Sequence, residues 1–361
     1  MFDEVKRQAL GKAHLLYGAN PLPKEIQERL DLELGSIKSN GWDTVYVIAR
    51  KLADKSREYG YMTGFRGCIG SSLVAFLMEI TQCNPLPQKY YGFNIPFETF
   101  AGVDFNKELD ITLNVAYDIH KEICEYLDEL LKEEGIDKNS GDIEQSNGIY
   151  NFKRTIVSKE GKKLATINIV SHKLLMPLKE LCQLTKHFPR LIRPDEDVRE
   201  IVDLLIKEEF YIHINLERVL DIISKIEIDT FEKLVILQGL LYAAVTDNCI
   251  GDILLARTSD LSQIISHRDD IMIFLMQKGI DRVTAYHIME SVRKGKGTTK
   301  EMDDIMREKN VPDWYIKICN HIDYLFPKAH NVGYAILEYQ LAWYGIHYPE
   351  EYAKVMEKWR V

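Results

Sequence analysis

Two short stretches of this chain carry residue types suited to gripping phosphate. The first is Gly64-Phe65-Arg66-Gly67-Cys68-Ile69-Gly70-Ser71-Ser72. Glycines such as Gly67 and Gly70 let backbone N–H groups approach an oxyanion closely, and Arg66 offers a forked, charge-assisted contact. Ser71 and Ser72 offer hydroxyl donors, and a helix starting near Ser71 would aim its positive end at the anion. An ordinary glycine-rich turn with a serine N-cap has the same composition. The second stretch, Ser291-Val292-Arg293-Lys294-Gly295-Lys296-Gly297, interleaves three cations with glycines. That pattern also describes a plain solvated connection between helices. The adjacent acids Asp269 and Asp270 read as caps of a helix start rather than as metal ligands.

The elements that must position these groups are mostly helices. Apolar residues recur every three or four positions over 2–17, over 24–37 (with Ile26, Leu30 and Leu34 on one face) and over 45–59. The glycine-rich stretch leads into an apolar helix over 73–80. Residues 108–116 alternate as a strand does, 119–134 return to helical spacing, and 135–148 are polar and read as a loop. Residues 151–171 read as a β-hairpin turning at Lys159-Glu160-Gly161-Lys162. Everything after Leu174 has helical spacing, broken near Pro189, Pro194, Gly239, Gly279, Gly295 and Pro312. The expectation is an α+β chain, with a small mixed α/β domain over 1–185 and a larger all-α domain over 186–361.

Composition narrows the partners. With 361 residues and a net charge of −9, the bulk field repels duplex DNA, so any nucleic-acid role needs a local basic surface. Cys68, Cys83, Cys124, Cys182, Cys249 and Cys319 form no CxxC pair. That argues against a zinc ribbon or a secreted disulfide scaffold and for reduced, buried thiols. The N-terminus is charged, and no apolar run reaches the length of a membrane helix. The expectation is a cytoplasmic protein without a signal peptide.

Three stretches resemble PolC, the Gram-positive-type alpha subunit of DNA polymerase III in the bacterial C family. The first holds YGANPLPKEIQERLDLELGSI and GYMTGFRGCIGSSLVAFLMEITQCNPLP, and the second is IPFETFAGVDFNKELDITLN. The third and longest holds HRDDIMIFLMQKGI, HIMESVRKGKG and VPDWYIKICNHIDYLFPKAHNVGYAILEYQLAWYGIHYPEEY. The resemblance implies a nucleotidyltransferase-like palm for the first two and fingers for the third. Residues 64–72 are similar to the family's GSRGSVGSS, with Phe65 and Cys68 in place of small polar residues. By the same resemblance, Arg293, Lys294 and Lys296 would face triphosphate or template phosphates, and Lys328 and His330 would line a nucleotide site.

The resemblance further implies two-metal chemistry, in which paired Mg²⁺ ions about 3.5–4 Å apart are held by carboxylates. The family supplies two aspartates from one strand in a Pro-Asp-Ile-Asp motif, where alternate residues share a face. Here the motif reads Leu109-Asp110-Ile111-Thr112. The family's third aspartate lies in a Leu-Asp-Ile-Leu-Gly-His-Asp context, whose best counterpart is Ile167-Asn168-Ile169-Val170-Ser171-His172-Lys173. Asp110 is thus the remnant catalytic and metal-binding position, with Thr112 and Asn168 where its partners would be. Glu108 shares the face of Asp110 and is the candidate for a relocated ligand, whereas Asp104 lies too far upstream. The leading expectation is an inactive, polymerase-like binding or regulatory protein in DNA replication. It would dock a nucleoside triphosphate, primer–template DNA or a replication protein. The alternatives are a minimal active polymerase using Mg²⁺ on Asp110 with Glu108 or another acid, and a scaffold whose phosphate features are relics.

Overall fold

The computed structural model describes residues 1–18, 21–61, 64–136, 143–146, 149–158, 160–187, 193–208, 216–242, 244–245 and 263–359. The chain forms two units, Met1–Leu191 with Ile336–Val361, and Ile192–Ala335. Cys249 falls outside the described residues; the other five cysteines are free thiols, with Cys83, Cys124 and Cys319 buried. Among the described residues, no helix is long and apolar enough to cross a membrane.

The first unit opens with three helices, α1 (Phe2–Tyr17), α2 (Lys24–Asn40) and α3 (Asp43–Glu58). Gly41, in a left-handed conformation at φ 69°, ends α2 and lets the chain reverse into α3. The stripe of α2 that faces inward holds Ile26, Leu30, Leu34 and Ile37, all buried. Each such side chain contributes roughly 1.5–3 kcal/mol on burial. Helices α1 and α2 both pack on α4 (Leu73–Leu77), which follows a 3₁₀ turn at Cys68–Ser71. The helix expected over 73–80 stops early, because Glu79 takes a left-handed φ of 55° and turns its carboxylate to Lys12 and Arg50.

Five strands form the sheet of this unit, in the order β1-β2-β5-β4-β3. They are β1 (Gly64–Arg66), β2 (Leu109–Val115), β3 (Ile143–Ser146), β4 (Ile149–Val157) and β5 (Lys163–Ser171). Strands β2 and β5 are parallel, and every other pairing is antiparallel. After the short α5 (Glu98–Ala101), β2 leads into α6 (His120–Glu133), which packs against β4 and β5. The alternation expected of 108–116 is realised: Leu109, Ile111, Leu113 and Val115 are buried, while Asp110 is exposed and Thr112 half-buried. The expected hairpin over 151–171 forms as β4 and β5. Two short strands escaped the sequence reading. β3 lies inside the stretch read as a polar loop, and β1 occupies part of the glycine-rich bend. Helix α7 (Leu175–Thr185) follows the sheet.

In the second unit, α8 (Arg199–Lys207), α9 (Leu216–Lys225) and α10 (Phe231–Tyr242) come first. α10 is apolar all round and buries Leu234, Val235, Ile236, Leu237, Leu240 and Leu241, as a central helix must. There follow α11 (Arg268–Gln277), α12 (Arg282–Val292), α13 (Lys300–Glu308) and α14 (Asp313–Cys319). Strands β6 (Ala244–Val245) and β7 (Ile322–Tyr324) pair antiparallel, which corrects the all-helical expectation for this part. α15 (Lys328–His347) begins in this unit. α16 (Pro349–Trp359) belongs to the first, where it packs on α7.

A buried carboxylate positions the glycine-rich loop. Glu33 of α2 accepts hydrogen bonds from the backbone N–H groups of Leu73 (2.9 Å) and Val74 (3.0 Å) and from the Ser72 hydroxyl (2.7 Å). Its charge is answered by Arg29, with Nε 2.5 Å away, and Arg29 Nη2 in turn donates to the Ser71 carbonyl. The Tyr46 hydroxyl closes the network 2.8 Å from Ser72 Oγ. Burial, and then the charge of Glu33, push that phenol far above its usual range. Glu33→Gln removes the buried anion from this pair and is expected to destabilise the protein by about 3 kcal/mol, read as a lower urea midpoint with an unchanged slope.

Candidate functional site

The parallel register of β2 with β5 builds the site. Asp110 lies opposite Thr166, and Thr112 opposite Asn168, so all four stand on the face of the sheet away from Ile111, Leu113, Ile167 and Ile169. The two stretches aligned by resemblance alone are therefore neighbours in space. Asn168 Nδ2 donates to Asp110 Oδ1 at 2.8 Å. The reverse orientation of that amide would set a carbonyl oxygen against a carboxylate, so the NH₂ group belongs on Asp110.

This donor set does not fit a pair of hard dications. Thr112 offers a neutral hydroxyl, and Asn168 directs donor protons, rather than an oxygen anion, at the one carboxylate of the group. Glu108 is engaged elsewhere: Oε1 accepts from Thr166 Oγ1 at 3.0 Å and pairs with Lys163 Nζ at 2.6 Å. Asp104 sits in the turn before β2. Among the described residues, no three His, Cys, Asp or Glu side chains converge on one point as metal ligands would.

Arg66 pairs across the sheet with Thr112, which places it on the same face. The antiparallel direction of β1 then carries the loop after Arg66 toward the Asp110 end of β2. His172, at the far end of β5, is pushed down to about 4 by burial and by the charge of Arg66, so its ring is neutral at pH 7. Gly67, at φ 85°, turns the chain with nothing near its missing Cβ, and Gly70 is buried. The serines do not face outward. Ser71 Oγ lies 3.0 Å from Thr99 Oγ1, Ser72 Oγ donates to Glu33, and both residues are fully buried. The start of α4 that the sequence reading aimed at an anion is thus filled by the protein's own carboxylate. Glu33 was not singled out from the sequence, because a lone acid within a helix carries no motif. The signal was its place on the apolar stripe of Ile26, Leu30 and Ile37.

The basic residues nominated in the second unit are mostly engaged by carboxylates. Arg293 grips Glu290 with both Nε and Nη2, and Lys294 Nζ lies 2.8 Å from the same carboxylate. Lys328 is buried, its ammonium 3.8 Å from Glu232 and 3.9 Å from Asp270, and its backbone N–H donates to Asp269 at 2.7 Å. Asp270 caps α11, accepting from the N–H of Ser266 and of His267. Burial raises its pKa, but the His267 and Lys328 contacts outweigh that and hold it far below the carboxylate range. His330 stacks on Phe326 and meets Tyr334 at a tilt, each ring centre 5.0 Å away. Lys296 is exposed, in no ion pair among the described residues. Gly295 and Gly297 shape the loop itself: a Cβ on Gly295 would stand 2.6 Å from the Asp323 carbonyl oxygen, and one on Gly297 would strike the Asn320 side chain.

Glu290 makes a pH-dependent contribution. Burial works to raise its pKa, but hydrogen bonds from Arg293 and Lys294 win and lower it to about 2. A carboxylate lowered on folding stabilises above its unfolded value and loses that stabilisation as pH falls through the folded one. Stability is therefore expected to fall between about pH 4.5 and 2, and a Glu290→Gln variant, less stable at pH 7, is expected to show a shallower fall in chemical denaturation across that range.

Comparison with known proteins gives this geometry its context. The family model for the bacterial DNA polymerase III alpha NTPase domain matches residues 3–212. The DNA polymerase III PolC-type of Caldanaerobacter subterraneus subsp. tengcongensis is 30% identical, over 97% of this chain and 33% of that protein. Those of Clostridium perfringens and Thermotoga petrophila are 31% and 28% identical, also over 97% of this chain and over 32% and 34% of their own lengths. The chain thus spans about a third of the curated relatives it matches. The family match takes in the strands that carry Asp110 and Asn168 together with the glycine-rich loop before them, and on that ground the chain belongs to the bacterial DNA polymerase III alpha family.

Proposed function

We propose that this protein keeps the palm face of its family for binding phosphate and does not transfer nucleotides. The observation that carries the reading is the 2.8 Å hydrogen bond from the Asn168 amide to Asp110. Nucleotidyl transfer needs two divalent ions to activate the attacking hydroxyl and to stabilise the leaving oxygen. Mg²⁺ surrenders its water reluctantly and needs oxygen anions in return. At this site one carboxylate remains, and an amide already donates to it. The ligand is a nucleoside triphosphate or the phosphates of primer–template DNA, and the setting is DNA replication, in which the protein acts by binding or regulation. A relocated metal site on Glu108 draws no support, since Lys163 and Thr166 occupy that side chain.

The test is direct. The purified chain, given several primer–templates, deoxynucleotides and either Mg²⁺ or Mn²⁺, is expected to extend none of them. Extension that disappears on Asp110→Ala would refute the proposal. The double variant Thr112→Asp, Asn168→Asp restores two oxygen anions beside Asp110. It is expected to bind Mn²⁺ at least about tenfold more tightly than the unaltered chain in calorimetry.

A further inference from the structure

Helices α1 and α3 line an open cleft that shares no residue with the sheet face. Its volume is about 530 Å³, within the roughly 300–1,000 Å³ of small-molecule sites. One wall is the stripe Arg7, Gly11, Lys12 and Leu15 of α1, and the other holds Arg50, Lys51 and Asp54 of α3. Val47 of α3 and Leu77 and Met78 at the end of α4 are buried and give the cleft an apolar floor. Two features keep it open. A Cβ on Gly11 would meet nothing within 4 Å. Helix interiors disfavour glycine, and no neighbour requires one here, but a larger side chain would take up part of the cleft. Glu79 holds a left-handed φ of 55°, a conformation that a non-glycine residue keeps only when its surroundings enforce it. Its carboxylate accepts from Lys12 at 2.6 Å and from Arg50 at 3.0 Å, and so ties α1 to α3.

The charge of the lining is unevenly committed. Each of its three acids has a partner. Glu79 holds Lys12 and Arg50, Asp54 accepts from Arg50 Nε at 2.7 Å and pairs with Arg57, and Glu4 accepts from Gln8 Nε2 at 3.1 Å. Of its four cations, Lys12 and Arg50 are engaged in this way. Arg7 and Lys51, on opposite walls, enter no ion pair among the described residues. The unanswered charge is therefore positive, at two points above an apolar floor. We infer that this cleft binds a small organic dicarboxylate. One carboxylate meets the Arg7 guanidinium as a fork, and the other meets the Lys51 ammonium as a point charge. The carbon chain between them lies over Val47, Leu77 and the bare Cα of Gly11. The charges match, since one carboxylate answers one cation. A phosphomonoester carries roughly 1.5 to 2 negative charges, and two of them would crowd excess charge against Glu4, Asp54 and Glu79. A lone inorganic anion would leave most of the volume unused. The inference goes beyond the proposed function and does not rest on it.

The experiment is calorimetric titration of the full chain with straight-chain dicarboxylates from succinate to suberate, with hexanoate and inorganic phosphate alongside. At least one dicarboxylate is expected to bind, about tenfold or more tighter than hexanoate. Arg7→Ala and Lys51→Ala are each expected to weaken that binding by about tenfold. Gly11→Leu fills the cleft and is expected to abolish binding while keeping or raising the melting temperature, because leucine is the better helix former and its Cβ meets nothing. Failure of every dicarboxylate to bind would overturn the inference. So would equal binding of hexanoate or phosphate, or binding indifferent to Gly11→Leu or to the loss of either cation.

Discussion

The parallel pairing of β2 with β5 is the constraint on which the candidate site depends. It brings residues 58 apart in sequence to a hydrogen bond, and its register is fixed by burial on the other face. Ile111, Leu113, Ile167 and Ile169 are fully buried. A slip of one residue would drive Asp110 and Asn168 into the core and lift those four into water. The same register sets Arg66 of β1 in line with Thr112 and Lys153 of β4 in line with Asn168. The chemistry of this face thus follows from a hydrophobic core that makes no contact with a ligand.

A second theme is the use of internal carboxylates at helix starts. Glu33 caps α4, Asp270 caps α11, and Asp269 accepts the first N–H of α15. Each helix start attracts an anion, and in each case the chain provides it from within. Free phosphate therefore gains little from backbone dipoles here. What remains to attract it are side-chain cations, and among those nominated in the second unit Arg293, Lys294 and Lys328 are held by Glu290, Glu232 and Asp270.

Much of this was legible in the sequence, for identifiable reasons. The alternation in residues 108–116 gave β2, and the paired apolar runs gave the β4–β5 hairpin, because both are local patterns. The family match likewise follows from long strings of residues in order. What escaped were features fixed by distant partners. β1 is three residues long and exists because β2 offers an edge. β3 is polar and gains its identity from pairing with β4. Glu33 drew no notice, because the groups it caps lie 39 to 41 residues away. The reading of Ser71 and Ser72 as phosphate donors failed for the same reason: sequence shows a hydroxyl but not what already sits beside it. Lys153 drew no notice, since a lone lysine in a strand carries no motif until the register sets it across from Asn168.

The two glycines of the basic loop bear on how likeness to a family should be weighed. Backbone at Asp323 leaves no room for a methyl group at Gly295, and the left-handed φ of both glycines disfavours any other residue, whatever ligand the loop meets. Lysine 296, between them, meets no such barrier. A recognisable outline in this loop can therefore outlive its original use. Its glycines record a steric debt to neighbouring chain, and only the cations could testify to a surviving ligand.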